Sequence, residues 1–568
     1  MKLSIRINRF KIFRLGLILL TLCAIHAQAQ ITWTGTTDTD WGTASNWDGG
    51  SVPGASDDVI IPATSATNYK APSIATDATY EVNNLTVAES GRLEIGGESA
   101  TLTVNGNTEN GGLIRANTNS SIVLLGSYTT VGSGTFANSR SVYGNSNYSI
   151  YAIPFTDGNV GLFNGVYAYL WNNETGDFEA LDYSNETTPG VGYFVSLNGY
   201  GQDVFTLGFA GSPVGDAVAV PVKQGSSDNF NLIGNPYTAA ISVSDFLNNS
   251  TNSTNTTGVV YFWDDGGQNN GNFRGGDFIT ANALGAVGTN SLSDGVTGAK
   301  GTGVYDGYIT SMQGFYIEAT TDGDVSFTQD MQVAGNNNNA NFYRASSTLE
   351  QPKIKLALAG DQFESETLVA FDLLATNDID YALDAKRKLA NTAVSIYSLN
   401  DGVEFAIQAL GLSSLEDITI PLGYEVNESG DYLIKTKQLE GINEDLSVWL
   451  VDLESNTSYN LQENVDISVH LENQASDKRF VLKVLSSRVL AETEMSTDLT
   501  LLKANERGLT IRYGQKDQYI TVYDINGRVH FNKTIYGEEQ PVTVDVKLNR
   551  HQVYILKVGN ESLKFSIK

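Results

Sequence analysis

Residues 82–127 read VNNLTVAESGRLEIGGESATLTVNGNTENGGLIRANTNSSIVLLGS. Within this stretch VNNLTV, GRLEIG, ATLTVNGN, GGLIRA and SIVLLGS alternate apolar and polar residues, and Gly, Asn or Ser separates each segment from the next. An alternation of period two buries one face of each segment, while glycine and asparagine supply the tight turns between them. Short strands recurring at about ten-residue spacing predict a stack of β-solenoid rungs, with a short β-sandwich as the competing arrangement.

Upstream lies ITWTGTTDTDWGTASNWDGGSVPGASDDVIIP, residues 31–62, in which Trp33, Trp41 and Trp47 stand among Gly, Thr and Asn. The rings are expected to close the open end of the solenoid; a sugar-stacking platform is the other role such tryptophans can take. A Trp-rich start followed by NLTV rungs resembles the beginning of many bacterial surface proteins.

Further upstream, Lys2, Arg6, Arg9, Lys11 and Arg14 form a basic leader, followed by an apolar run from Leu15 to Ile25 and by Ala27-Gln28-Ala29. The apolar run is shorter than the roughly 20 residues a membrane span needs, so residues 1–29 read as a secretory signal peptide. Cleavage between Ala29 and Gln30 leaves a mature chain beginning at Gln30. The single cysteine, Cys23, lies in the leader after Leu22, which is too large for a lipoprotein cleavage site. Disulfides and cysteine nucleophiles are thereby excluded from the mature chain. Its histidines are His470, His530 and His551, so residues 30–469 hold neither His nor Cys and offer no zinc site or Ser/His/Asp triad.

Downstream, residues 127–345 contain an internal duplication. Ile153-Pro154-Phe155, Tyr169-Leu170-Trp171-Asn172, Gly192-Tyr193-Phe194-Val195 and Val204-Phe205-Thr206 align with Asn235-Pro236-Tyr237, Tyr261-Phe262-Trp263-Asp264, Gly314-Phe315-Tyr316-Ile317 and Val325-Ser326-Phe327. Aromatic residues at matched spacing imply repeated packing, hence two related β units. The second copy carries polar inserts, among them NNSTNSTNTTG, and the glycine-rich loop WDDGGQNNGNFRGGDF. There Asp264, Asp265, Asn270 and Asp277 supply hard oxygens of the kind Ca²⁺ takes, although their spacing is not that of an EF-hand and the same residues are ordinary turn formers.

Residues 346–487 continue the alternation in about seven strand-like segments, with hairpin signals at Asn400-Asp401-Gly402 and Glu454-Ser455-Asn456, and predict a β-sandwich. The stretch ATNDIDYALDAKRKL resembles a segment found before sorting domains in large secreted surface proteins. Its Asp378, Asp380 and Asp384 either bind a cation or belong to a solvated connecting loop.

After a linker at 488–500 the chain closes with a unit at 501–568. In YITVYDINGRVHF the pair Asn526-Gly527 suits a two-residue hairpin that places Ile520, Val522, Val529 and Phe531 on one face; a bulged register starting from Asp524 is the alternative. In the last strand Leu563, Phe565 and Ile567 point inward, with Lys564, Ser566 and Lys568 outward. VYDINGR (Val522, Tyr523, Asp524, Asn526, Gly527, Arg528), then VYILKVG (Val553, Tyr554, Lys557) and a terminal basic strand with Lys564 and Lys568, resemble the type A sorting domain of the type IX secretion system. Gln552 stands where that family usually has Gly. The resemblance implies a small Ig-like β-sandwich that docks on an outer-membrane translocon. It also implies a sortase-like peptidase that removes the unit, with the cargo released or joined to surface lipopolysaccharide.

The whole chain has 568 residues and a formal net charge of −29, with 41% apolar and 17% charged residues. Removing the five basic residues of the leader gives −34, and the closing unit, with eleven Lys and Arg against seven Asp and Glu, leaves −38 on the passenger. So acidic a passenger is not expected to bind nucleic acid.

The expected fold class is therefore all-β and multidomain. The passenger is read as a non-catalytic adhesin or surface structural protein without a cofactor, Ca²⁺ aside, meeting a glycan or another surface ligand. A carbohydrate-binding or polysaccharide-degrading protein is the alternative, and two carboxylates lining one cleft at about 5 to 10 Å from each other would favour it.

Overall fold

The structure is a computed structural model that describes residues 30–64, 70–117, 119–143, 149–158, 163, 167–182, 184, 187–196, 204–226, 228–263, 278–291, 307–335, 351–361, 363–380, 383–387, 394–411, 418–442, 446–463, 466–486, 500–505, 507–512, 518–524, 529–535, 541–550, 553–558 and 561–566. The fold is all-β, and contacts divide the chain into two compact units that meet between Ser486 and Ser487.

The N-terminal part is a parallel β-solenoid with three short strands per coil. Thr79–Val82, Leu85–Val87 and Arg92–Ile95 form one coil; Thr101–Val104, Thr108–Asn110 and Leu113–Ala116 the next; Ser121–Leu124, Tyr128–Thr130 and Thr135–Tyr143 the third. Each strand pairs in parallel with its counterpart in the neighbouring coil, as in Leu93↔Ile114 and Leu102↔Ile122. Three strands per coil, rather than rungs about ten residues apart, follow from the corners. Leu113 N–H donates to Gly91 O (2.8 Å) and Thr135 N–H to Gly112 O (2.7 Å), so glycines stack at one corner of successive coils. A Cβ on Gly112 would lie 2.2 Å from Gly91 O, and one on Gly134 1.9 Å from Asn110 O. Only glycine permits so close an approach of two backbones. At another corner Asn107 N–H donates to the Asn84 side chain (2.7 Å) and Ser127 N–H to that of Asn107 (3.2 Å).

An open solenoid end exposes unpaired strand edges. At the N-terminal end Trp33, Trp41 and Trp47 are all buried, with ring centroids 4.9 Å (Trp33–Trp47) and 4.7 Å (Trp41–Trp47) apart. The Trp47 indole donates to Trp41 O (2.9 Å) and that of Trp33 to Lys70 O (2.7 Å). These rings fill the end of the coil and have no face to offer a sugar. Toward the other end, the Gln332 amide mimics a strand by accepting from Leu124 N–H (3.2 Å) and donating to Leu124 O (2.8 Å).

The duplication is visible in the topology. Copy one has the six strands Thr135–Tyr143, Ser149–Tyr151, Tyr167–Asn172, Asp177–Ala180, Tyr193–Ser196 and Val204–Gly211; copy two has Val218–Val222, Phe230–Gly234, Thr256–Trp263, Phe278–Asn282, Gly314–Ala319 and Gly323–Phe327. In both, the first strand pairs antiparallel with the sixth, and the middle four form a sheet in the order second, fifth, third, fourth; copy two adds Gly285–Val287 at the edge. The first strand of copy one is also the last strand of the solenoid, so the two parts share backbone hydrogen bonds.

The copies pack reciprocally. Trp171 lies opposite Phe178 and Trp263 opposite Phe278 in matching registers. Trp171 packs edge-on against Tyr316 of copy two (5.4 Å), and Trp263 edge-on against Phe194 of copy one (5.2 Å), where Tyr316 and Phe194 occupy equivalent places. Ala152 N–H donates to Met312 O and Gly234 N–H to Gly190 O, both at 2.9 Å, and the equivalent residues Met312 and Gly190 both have positive φ (64° and 84°). Each contact recurs with the partners exchanged, the pattern of an isologous, two-fold interface. The duplicated unit is thus an internal pseudodimer.

Residues 353–486 form a mixed, mostly antiparallel sheet in which Thr289–Ser291 of copy two also takes part. Its core joins Ile354 and Leu356 to Val448, Leu450 and Leu482, residues from strands far apart in the sheet order, so the sheet folds over on itself as a sandwich. At the expected hairpin of Asn400-Asp401-Gly402 the turn consists of two residues, Asp401 and Gly402 (φ 48° and 79°), between Asn400 and Val403, and Asn456 (φ 56°) closes the hairpin at 452–457.

The closing unit has two sheets. One contains Thr500–Asn505, Gly508–Arg512 and Val542–Asp545; the other Val529–Ile535, Gln518–Asp524, Val553–Val558 and Glu561–Ser566 in that order. Leu509, Ile511, Val542 and Val544 meet Ile520, Val522, Tyr554, Leu556 and Phe565 in a core of their own. Fully burying each such side chain contributes about 1.5–3 kcal/mol. One register expectation is corrected. Tyr523 pairs with Val529 and Val522 with Phe531, so His530 is an extra residue in its strand. That bulge turns Val529 to the outer face, 48% exposed, while Phe531 stays against the core.

Candidate functional site

In the closing unit the motif residues divide into builders and presenters. Val522 and Tyr554 are fully buried. The Tyr554 hydroxyl accepts from Asn549 N–H (2.8 Å), and the ring meets His530 edge-on at 5.3 Å and Phe565 at 5.7 Å. Asp524 lies 3.1 Å from Nε2 of His530, both only 18% exposed, which ties the bulge to the strand before the turn. Tyr523, in register with both Val529 and Ile555, belongs to the outer face together with Tyr519 and the exposed Lys557 and Lys564. Val553 is half-buried opposite Ser566. The hairpin turn with Asn526, Gly527 and Arg528 lies outside the described residues, as do Ile567 and Lys568. The outer face is therefore a patch of Tyr519 (51% exposed), Val529 and Ile555 (37%) beside two lysines, an arrangement that suits docking rather than chemistry.

In the first unit, Ala27 and Ala29 of the cleavage site lie outside the described residues, and Gln30 opens the first strand. Asp264, Asp265, Asn270 and Asp277 also lie outside them. Among the described residues no group of three or more His, Cys, Asp or Glu is placed to hold a metal ion.

Asp378, Asp380 and Asp384 do not converge on a common point. Asp380 accepts from Thr376 N–H (2.5 Å) and from the Thr376 hydroxyl (3.2 Å). Asp384 is buried and accepts from Ala409 N–H (2.6 Å) and Asp380 N–H (2.7 Å). Burial pushes its carboxyl up to about 6, against the pull of those two backbone donors. Asp378 is exposed, Asp380 closes a turn on Thr376, and Asp384 docks the segment against the sandwich through Ala409, so the segment is more ordered than a solvated connection.

Sequence reasoning missed a cleft of about 290 Å³ where this segment faces copy two, lined by Thr257, Tyr261, Glu318, Thr320, Asp384 and Lys386. Glu318 and Asp384 are the carboxylates of this lining. Tyr261 and Glu318 are buried, and desolvation, with the Glu318 charge second, pushes the Tyr261 hydroxyl up. The cleft owes its shape to an irregularity in copy two. Thr256 pairs with Ala319 and Val260 with Ile317, so Thr257, Gly258 and Val259 all face the single residue Glu318, with Gly258 at φ 73°. In copy one the described pairs of the corresponding strands run from Tyr167↔Ser196 to Tyr169↔Phe194, and Ser196 stands where copy two has Glu318. The sequence signal was the polar insert at 248–258, which carries the extra residues into the start of the third strand.

The architecture defines a class of multi-module β-protein: a capped solenoid leading into a pseudodimer and a sandwich, followed by a separate closing module. The chain belongs to the family described as Domain of unknown function (DUF8693), whose model matches residues 32–484. That span covers solenoid, pseudodimer and sandwich together and stops just before the boundary of the closing unit. No curated protein matches the chain. Among solved structures, the adhesin domain of Epf from Streptococcus pyogenes is similar at 9% identity, over 39% of this chain and 95% of that one, with a TM-score of 0.11. The BSP domain of a biofilm associated protein is similar at 9% identity, over 76% of this chain and 92% of that one, also with a TM-score of 0.11. At such scores neither likeness carries an argument. No helix among the described residues is long and apolar enough to cross a membrane.

Proposed function

We propose that this chain is a secreted or cell-surface β-modular protein of a diderm bacterium, exported by a type IX secretion system. Residues 501–568 act as its type A sorting signal. The observation that carries the reading is the division of labour in the closing unit: the motif residues Val522 and Tyr554 build a separate core, while Tyr519, Val529, Ile555, Lys557 and Lys564 are left on an outer face. A module with its own core keeps that face intact whatever cargo precedes it. Its partners on this reading are the outer-membrane translocon and a sortase-like peptidase, with release or lipopolysaccharide attachment as the end state.

Residues 30–486 are the passenger, an adhesin-like or structural protein without catalysis. A sequence free of Cys and His between Gln30 and Val469 supports this part of the reading. Deleting residues 501–568 tests the export step: the truncated protein should accumulate in the periplasm, and undiminished display on the surface would overturn the assignment.

A further inference from the structure

The cleft between copy two and the segment that carries Ile379, Asp384 and Lys386 lies where the strand ladder of copy two is irregular. The two copies agree in strand order, in the opposition of Trp to Phe and in their reciprocal backbone hydrogen bonds. At the start of the third strand three residues of copy two face one, and Glu318 stands where copy one has Ser196. An irregularity that interrupts an otherwise repeated ladder re-aims side chains, and such bulges concentrate beside binding sites. Here the re-aimed group includes the Thr257 hydroxyl, which is buried without a hydrogen-bond partner among the described residues. A buried hydroxyl left unpaired costs about 1–3 kcal/mol, so it favours a ligand that completes it.

The lining decides the chemistry of that ligand. Glu318 and Asp384 supply acceptors and Lys386 a donor; Thr257, Tyr261 and the side-chain amide of Asn229 can do both, and Val259 and Ile379 add apolar surface. Two carboxylates disfavour an anion, while the density of polar groups disfavours a purely apolar molecule. A molecule that offers several hydroxyl groups, each donor and acceptor, on a small carbon ring satisfies this set. At about 290 Å³ the cleft lies at the small end of ligand pockets. It also lies at a seam between substructures, where such pockets are frequent.

We propose that this cleft binds a single neutral sugar residue, with Glu318 and Asp384 accepting from its hydroxyls and Thr257 completing its own hydrogen bond to the same ring. The site is a binding site: both oxygens of Asp384 already accept backbone N–H groups, which holds that carboxylate in place as a fixed acceptor. The proposal is independent of the export reading, since it concerns residues 30–486 alone.

The test uses the mature chain, residues 30–568, in saturation-transfer NMR and isothermal titration with glucose, galactose, mannose and N-acetylglucosamine. Glucosamine and putrescine serve as cationic probes. At least one neutral sugar should bind with a dissociation constant on the order of 1 mM. Glu318→Gln, which keeps shape and removes the charge, should weaken it about tenfold, and Thr257→Val several-fold. Lys386→Ala, at the half-exposed edge, provides a second variant if Glu318→Gln fails to fold as judged by circular dichroism. Glu454→Gln, on an exposed hairpin of the sandwich, should change nothing. Failure of all four sugars to bind, binding of the cationic probes alone, or neutral-sugar binding indifferent to the folded cleft variants would each overturn the proposal.

Discussion

Gly112→Ala is the sharpest perturbation the solenoid offers. The added methyl carbon would lie 2.2 Å from Gly91 O and 2.7 Å from Ala88 O, against an ordinary contact of 3.4 Å or more. One coil must therefore move away from its neighbour by 1.2 Å at this corner (3.4 − 2.2). Both obstructing atoms are backbone, and Gly91 O is itself held as the acceptor of Leu113 N–H at 2.8 Å, beside the bond from Gly111 N–H to Val87 O at 2.7 Å. A shift of that size breaks both bonds in a buried place. Two lost bonds with their groups left unsatisfied cost about 3–5 kcal/mol. The control is Gly132→Ala: no atom lies within 4 Å of that position, so only its positive φ (58°) is penalised, at about 1–2 kcal/mol. Native-state hydrogen exchange read by mass spectrometry over residues 85–116 measures the difference. Gly112→Ala should accelerate exchange there by two to four orders of magnitude, since about 1.4 kcal/mol is tenfold. Rates within threefold of wild type would refute the steric reasoning and with it the stacked-corner geometry.

Three further outcomes follow from the packing and the buried charges. Double-mutant cycles at Trp171/Tyr316 and Trp263/Phe194, with leucine replacements followed by urea denaturation, should give similar coupling energies of about 0.5–1.5 kcal/mol. Coupling at one pair and none at the other would break the pseudodimer. Asp384 has a folded-state pKa of about 6, above its ordinary 3.8, so its contribution to stability is complete below that ordinary value and is lost as pH rises through about 6. The stability gap between wild type and Asp384→Asn should accordingly shrink by about 1–3 kcal/mol between pH 4 and pH 7, allowing for partial solvent access; a gap constant with pH would contradict this. Tyr554→Phe removes the acceptor for Asn549 N–H while keeping the ring, and should lower the stability of the closing unit by about 1 kcal/mol in thermal unfolding. No change would mean that the motif tyrosine acts through its ring alone.

The features legible in the sequence were those set by local alternation and turn chemistry. Alternating apolar residues between Gly and Asn turns marked the strands at 82–127, and Asn400-Asp401-Gly402 marked a hairpin, in which Asp401 and Gly402 both take positive φ. The aromatic spacing revealed the duplication because each ring has a fixed partner, as Trp171 has Phe178 and Trp263 has Phe278. Features that depend on distant backbone were not legible. Three strands per coil rest on glycines about 21 residues apart meeting at a corner, which alternation within one strand does not encode. The outward turn of Val529 rests on one extra residue, His530, and a one-residue shift reverses every side chain beyond it. The cleft draws Thr257, Glu318 and Asp384 from three separate segments, and its one local trace was a polar insert that reads as an ordinary loop.

On the proposed reading the closing β module is itself the export address. A reporter protein carrying a signal peptide and, at its C-terminus, residues 488–568 should be produced in a bacterium with type IX machinery, and its protease accessibility on intact cells measured against the same reporter without the module. The reporter should lie outside the outer membrane only when the module is attached; a module-bearing reporter that stays shielded within the envelope would overturn that reading.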